Sequence, residues 1–136
     1  MKYLVDANVL SETTKPSPHG RVVEWLHQNE SELVVSTIVL GELEFGILKL
    51  PAGRRRARLE RWFKTVIGQL RVLDFDAASA SEWARLVAGL RVKGRAMPVT
   101  DSLIAATALA HGLIVATRNT HDFRSAGAKV VNPFDF

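Results

Sequence analysis

Short apolar runs alternate along the chain with longer segments in which apolar residues recur at helical spacing. Residues 3–5, 33–35 and 113–116 form uniformly apolar runs, which are typical of strands buried on both faces of a sheet. Residues 72–73 and 130–131 predict two further short strands. Because strands alternate with helices, the pattern favours a three-layer α/β fold with a central parallel sheet of four to five strands flanked by helices.

The helical segments carry start and end signals. We expect Asn8 to cap a short helix that ends near residue 13, and Ser36 and Asp76 to cap two longer helices. Gly94 and Gly112 are expected to end helices, because glycine adopts the left-handed conformation readily. The segment from residue 100 to 110 is apolar almost all round, which indicates a helix buried on most sides. The other apolar stripes are Val22, Val23, Trp25 and Leu26; Leu40, Leu43, Ile47 and Leu50; Leu59, Trp62, Phe63, Val66 and Ile67; and Ala80, Trp83, Leu86, Val87 and Leu90.

Composition narrows the class of protein. With 136 residues and 47% hydrophobic content, we expect one domain over residues 1–136. The sequence has neither a membrane-span pattern nor a signal-peptide pattern, so we expect a cytoplasmic protein. Since the chain has no cysteine, any metal ion would need oxygen or imidazole ligands. The net charge of +4 suggests a polyanionic partner.

Four acidic side chains are expected at the carboxyl edge of the sheet. Asp6 ends the first strand, and Glu42 lies one to two turns into the helix after the second strand. Asp101 begins the helix that precedes the 113–116 strand, and Asp122 follows that strand across a polar turn, residues 117–122. In open parallel sheets, sites form at this edge because loops and helix N-termini converge there.

Carboxylates that converge in this way need a cation. Two of them repel by about 3 kcal/mol at about 5 Å and an effective dielectric constant of about 20. Magnesium or manganese suits a site built only from oxygen ligands. Two such ions about 4 Å apart can activate a water molecule and stabilise the leaving oxygen of a phosphodiester. Phosphodiester hydrolysis is therefore the chemistry that we expect.

Taken singly, three of the acids also have structural explanations. Asp101 would favour a helix N-terminus electrostatically, and Asp122 would suit an Asx turn. Glu42 would be an ordinary solvated acid on a helix. Asp6 is harder to explain in this way, because a carboxylate directly after a buried strand is costly unless it is hydrogen-bonded, paired or bound to metal.

Four motifs, in order along nearly the whole chain, resemble those of the PIN-domain nucleases and, within them, the VapC-like toxins of bacterial toxin–antitoxin modules. They are LVDANVLSE at residues 4–12, STIVLGEL at 36–43, PVTDSLIA at 98–105 and ATRNTHDF at 116–123. The resemblance implies that Mg²⁺ or Mn²⁺ supports endonucleolytic cleavage of RNA. The catalytic and metal-binding carboxylates that it implies are Asp6, Glu42, Asp101 and Asp122.

The resemblance has two further implications. Asn8, Thr117 and Asn119 match polar positions around the family's metal site, where they would orient the ligands by hydrogen bonds. Capping and turn formation are the alternative roles for these three residues. The family also implies a homodimer and, for its toxins, a cognate antitoxin protein that wraps the dimer and obstructs the acidic pocket.

Several basic residues are candidate RNA contacts. Arg54, Arg58 and Arg61 fall on one helix face, which is either an RNA-backbone contact or simply a solvated surface. Arg118 lies four residues before Asp122 and is expected to meet the scissile phosphate. The histidines show no ligand spacing, so we expect no zinc site. They are His19, His27, His111 and His121.

Two other functions compete with a nuclease. A phosphohydrolase of the haloacid-dehalogenase type would need an aspartate two positions after Asp6, where this chain has Asn8, a residue that cannot act as a general acid. A non-catalytic RNA-binding or scaffold domain would keep the fold and lose one of the acids, whereas all four acids are present.

Overall fold

A five-stranded sheet in the order β3-β2-β1-β4-β5 forms the centre of the protein. The computed structural model describes residues 1–135, and every pair of neighbouring strands is parallel. The α/β fold with a parallel sheet predicted from the sequence is confirmed. The strands are β1 (Tyr3–Val5), β2 (Leu33–Ser36), β3 (Arg71–Leu73), β4 (Ile114–Ala116) and β5 (Val130–Val131).

Helices cover both faces of this sheet. Leu4 and Val5 point to opposite faces because they are adjacent in β1, yet both are fully buried. Val34 and Val35 in β2 repeat this pattern. The α-helices are α1 (Ala7–Glu12), α2 (Gly20–Gln28), α3 (Thr37–Leu48), α4 (Arg54–Thr65), α5 (Ala77–Val92), α6 (Val99–His111) and α7 (Thr120–Ser125). Short 3₁₀ helices span Glu30–Glu32, Ile67–Gln69 and Pro133–Asp135.

Helix α6 is the most deeply buried of the helices, as the sequence predicted. Ile104, Ala105 and Ala106 are fully buried, and Ala108 is almost so. Small side chains allow the backbone of α6 to approach its neighbours closely, and α6 packs mainly against α5. The N-terminus of α6, which carries Asp101, is held in place by this packing.

Most of the predicted helix ends are confirmed. Ser36 Oγ accepts a hydrogen bond from Val39 N at 3.1 Å, and Asp76 Oδ1 accepts one from Ser79 N at 2.8 Å. Gly112 ends α6 with φ +64°, in the left-handed region that glycine enters without steric cost.

Three predictions about element ends were wrong. Asn8 is not a cap: it lies within α1, and Asp6 caps that helix instead. Residues 117–122 are not all turn, because α7 begins at Thr120 and places Asp122 in its first turn. The stripe through Val66 runs past the end of α4 at Thr65, and the Val66 side chain is 51% exposed.

No helix in residues 1–135 is long and apolar enough to cross a membrane.

Candidate active site

The candidate site lies where the direction of the sheet order reverses, between β1 and β4. From β1 the chain moves to β2 on one side, whereas β4 lies on the other side, and such a switch point opens a crevice at the carboxyl ends of the strands. Val5 pairs with Ala116 in the sheet. The next residues, Asp6 and Thr117, therefore leave their strands side by side at this crevice.

Asp6 is 5% exposed and is held by three donors. Its Oδ1 atom accepts a hydrogen bond from Ala7 N at 2.8 Å. Its Oδ2 atom accepts one from Thr117 Oγ1 at 2.7 Å and one from Asn8 Nδ2 at 3.2 Å. Burial nevertheless raises the pKa of Asp6, because the loss of hydration outweighs the hydrogen bonds, which lower it. Asp6 is thus a fixed carboxylate whose negative charge is only partly compensated.

Asp101 and Asp122 share one amide. Asn119 Nδ2 donates to Asp101 Oδ2 at 2.9 Å and to Asp122 Oδ2 at 3.0 Å. The two carboxylate oxygens are therefore no more than about 6 Å apart, the combined length of the two bonds. Burial and the charges of Asp6 and Asp122 raise the pKa of Asp101, whereas the bond from Asn119 lowers it.

Glu42 has no hydrogen-bond partner for its buried Oε1 atom. Burial, followed by the charges of Asp6 and Asp101, raises the pKa of Glu42 to about 7. These two features distinguish Glu42 from a fully solvated acid on a helix. The effect of the Asp6 and Asp101 charges indicates that Glu42, from α3, lies near the acids that follow β1 and begin α6.

Carboxylate oxygens are the ligands that hard divalent cations such as Mg²⁺ prefer. The Oε1 atom of Glu42 is a buried acceptor without a hydrogen-bond partner, so it is free to bind such a cation. Residues 1–135 nevertheless contain no group of three or more His, Cys, Asp or Glu side chains arranged closely enough to hold a metal ion as they stand. Asn119 lies between Asp101 and Asp122, and Asn8 and Thr117 bond to Asp6. Coordination of one cation by three or more of these acids would therefore require side-chain movement within this cluster.

The three polar residues predicted around the site all contact it. Thr117 and Asn8 bond to Asp6, and Asn119 bonds to the other two aspartates. Asn119 is itself held, because its backbone N donates to Thr117 Oγ1 at 3.0 Å. Asn8 Oδ1 accepts a bond from Arg118 N at 3.2 Å. A single network therefore joins the ends of β1 and β4 to α6 and α7.

No salt bridge in residues 1–135 joins a basic side chain to any of the four acids. The Arg118 guanidinium lies over the Phe134 ring, 4.1 Å from its centroid. Contact between Arg118 and the scissile phosphate stays a prediction. Arg54, Arg58 and Arg61 are exposed on α4, and their contact with RNA also stays a prediction.

Glu12 has no role predicted from the sequence, although this acid is only 5% exposed. Its Oε2 atom accepts a hydrogen bond from His19 N at 2.9 Å, and its Oε1 atom lies 2.9 Å from Lys15 Nζ. Glu12 thus ties the segment after α1 to that helix, and its satisfied oxygens contrast with the unpartnered oxygen of Glu42. Only its place in the first motif would have drawn attention to it.

Comparison with known proteins identifies the family. Residues 3–129 match the PIN domain family. A VapC ribonuclease of Sinorhizobium fredii, Y4jK, is 39% identical over 137 residues, which cover 97% of this chain and 97% of the relative. The crystal structure of FitAcB from Neisseria gonorrhoeae superposes with a TM-score of 0.91 at 35% identity, covering 98% of this chain and 99% of that one.

A third match is more distant. The crystal structure of VapBC-5 from Mycobacterium tuberculosis, a member of the VapBC family of toxin-antitoxin systems, covers 73% of this chain and 79% of that one. It superposes with a TM-score of 0.62 at 30% identity. With the match over residues 3–129 and relatives aligned over almost their whole length, this chain belongs to the PIN-domain family, among its VapC-like members.

Proposed function

We propose that this chain is a divalent-metal-dependent endoribonuclease and the toxin of a toxin–antitoxin pair, acting in the cytoplasm. The observation that carries the proposal is the buried, unpartnered Oε1 atom of Glu42 beside Asp6 and Asp101. Uncompensated carboxylates cost folding free energy, and a bound cation offsets that cost. The relative named as a ribonuclease supports RNA as the substrate.

In this proposal Asp6, Glu42, Asp101 and Asp122 hold Mg²⁺ or Mn²⁺. When bound, the ion would lower the pKa of a water molecule and neutralise the charge that develops on the leaving oxygen. Thr117 and Asn8 keep Asp6 in place through their bonds to Oδ2. Asn119 orients the other two aspartates toward each other. Glu42 must give up its proton before it can bind the cation, which a pKa of about 7 permits at neutral pH.

The antitoxin and the homodimer belong to the same proposal. The VapBC-5 structure is that of a toxin-antitoxin family member, which supports a partner protein here. Phe45 and Leu48 on α3 are 63% and 54% exposed, and Val72 in the edge strand β3 is 45% exposed. Apolar groups exposed together in this way are typical of protein interfaces. Sedimentation of the purified chain, alone and with the product of its adjacent gene, tests both partners.

Cleavage of RNA by purified protein tests the enzymatic part. We expect cleavage in Mg²⁺ or Mn²⁺, none in EDTA, and none by the Asp6→Asn variant. Asp74→Asn is the matched control, because Asp74 follows β3 at the same edge of the sheet and is exposed. This control should cleave like the wild-type protein. Equal cleavage by the Asp6→Asn variant would refute the assignment of the acids and favour the alternative, a non-catalytic RNA-binding or scaffold domain.

A further inference from the structure

A cavity of about 310 Å³ is lined by Asp122 and extends away from the other three acids of the site. We call it the Arg95 pocket. Four larger cavities, of about 600, 510, 490 and 420 Å³, are lined by none of the four acids. The Arg95 pocket is thus the one among these five that adjoins the proposed catalytic centre. Its main lining residues are Leu90, Arg95, Met97, His121, Asp122 and Ser125.

One wall of the Arg95 pocket is fixed by the end of α5. Arg95 N donates to Leu90 O at 2.8 Å, and Gly94 N donates to Arg91 O at 3.0 Å. Gly94 has φ +67°, so these bonds form the Schellman motif that commonly closes a helix. Leu90 and Arg95 both line the pocket, and this motif holds their backbones together.

The opposite wall is the first turn and a half of α7. His121 and Ser125 lie four residues apart, which places them on the same helix face, and Asp122 lies next to them. Asp122 Oδ2 also accepts the bond from Asn119 that links it to Asp101. Asp122 therefore belongs both to the acid cluster and to this pocket, so the pocket adjoins the cluster through this residue.

The chemistry of the lining suits a nucleotide. Leu90 and Met97 supply an apolar surface for a base, and His121 and Ser125 supply polar atoms near its edge. Arg95 is exposed and takes part in none of the salt bridges among residues 1–135, so its guanidinium is available to a phosphate. The volume lies at the lower end of the range of about 300–1,000 Å³ for ligand pockets, which suits one nucleotide rather than a protein segment.

We propose that the Arg95 pocket binds one nucleotide of the RNA next to the phosphate that is cut, and that it sets base preference at that position. The inference rests on the proposed function and deepens it. Arg95 contacts the phosphate of this nucleotide, while His121 and the apolar floor contact its base. The four acids carry the reaction, and the pocket selects the place where the strand is cut.

The test uses the full-length protein in Mg²⁺ with a pool of single-stranded RNA of random sequence, whose cut ends are sequenced. We expect the wild-type protein to show a base preference at one fixed position beside the cut. His121→Ala should weaken that preference and raise KM about fivefold to a hundredfold, the range for loss of one base contact, with a smaller change in kcat. Arg95→Ala should raise KM equally for all bases, because it removes a phosphate contact.

Arg124→Ala is the control, because Arg124 is basic and exposed on the same helix but does not line the pocket. It should leave the cleavage profile and KM unchanged. If the His121→Ala and Arg95→Ala variants cleave RNA with the wild-type profile and KM, the Arg95 pocket does not bind a nucleotide. That result would leave the proposed ribonuclease function unaffected. Loss of antitoxin binding with an unchanged profile would also overturn the nucleotide assignment, in favour of a protein side chain as the occupant. If the wild-type protein cleaves no RNA, the proposed function and this pocket both fail.

Discussion

Replacing Glu42 by glutamine is expected to stabilise the metal-free protein at pH 8 while abolishing RNA cleavage. Burial and the charges of Asp6 and Asp101 raise the pKa of Glu42 from 4.5 to about 7. Each pKa unit corresponds to about 1.4 kcal/mol, so full shielding from solvent would give a penalty of about 3 kcal/mol for the ionised form. Since Glu42 is only half-buried, we expect solvent screening to reduce this to about 1–2 kcal/mol.

The sign of the pH dependence follows from proton uptake. Between pH 4.5 and about 7 the folded protein holds a proton on Glu42 that the unfolded chain has released. The free energy of unfolding of the wild-type protein therefore falls as pH rises through this window, and this contribution levels off above it. Glutamine does not titrate, so the Glu42→Gln variant lacks this part of the slope.

Urea unfolding in EDTA at pH 5 and pH 8, followed by tryptophan fluorescence, measures the effect. The Glu42→Gln variant should gain stability relative to the wild-type protein mainly at pH 8. Glu44→Gln is the matched control, because Glu44 is exposed on the same helix. An equal difference at the two pH values, or a loss of stability at pH 8, would refute the assignment of Glu42 as a half-buried acid whose charge is uncompensated.

Three further predictions test other parts of the structure. Asn119→Ala removes the amide shared by two carboxylates and should lower kcat/KM by about tenfold to a hundredfold, and wild-type kcat/KM would show that the amide orients nothing. Gly112→Ala introduces a side chain at φ +64° and should lower the free energy of unfolding by about 1 kcal/mol in urea unfolding; unchanged stability would contradict the strain. Replacing Arg54, Arg58 and Arg61 together by alanine should weaken RNA binding and make the binding constant less dependent on salt concentration. An unchanged salt dependence would show that these arginines are solvated and do not contact RNA.

The sequence predicted the strands and the backbone positions of the acids better than it predicted their surroundings. Asp6 stands out because it follows a buried apolar run, where a carboxylate needs compensation. Glu42 does not stand out, because a helix acid looks the same in sequence whether the fold buries it or leaves it in water. Its burial depends on how α3 packs beside α6, which is a tertiary effect.

Helix α7 and the Arg95 pocket could not be predicted from the sequence pattern. Residues 117–122 are polar, and α7 is only six residues long with Phe123 as its buried residue, so no apolar stripe indicates a helix there. The pocket combines the end of α5 with α7, which lie far apart in the sequence. His121 therefore carries no signal of a binding role in the sequence, because its neighbours in the fold are not its neighbours along the chain.

Titration of the metal-free protein with Mn²⁺, monitored by the loss of the free-ion electron paramagnetic resonance signal, tests the central claim most directly. That claim is that the carboxylate that caps α1 and those from α3, α6 and α7 together hold a divalent cation. The account predicts saturable uptake by the wild-type and Asp74→Asn proteins and a large loss of uptake by the Asp6→Asn and Asp101→Asn variants. No uptake by the wild-type protein, or equal uptake by all four proteins, would contradict it.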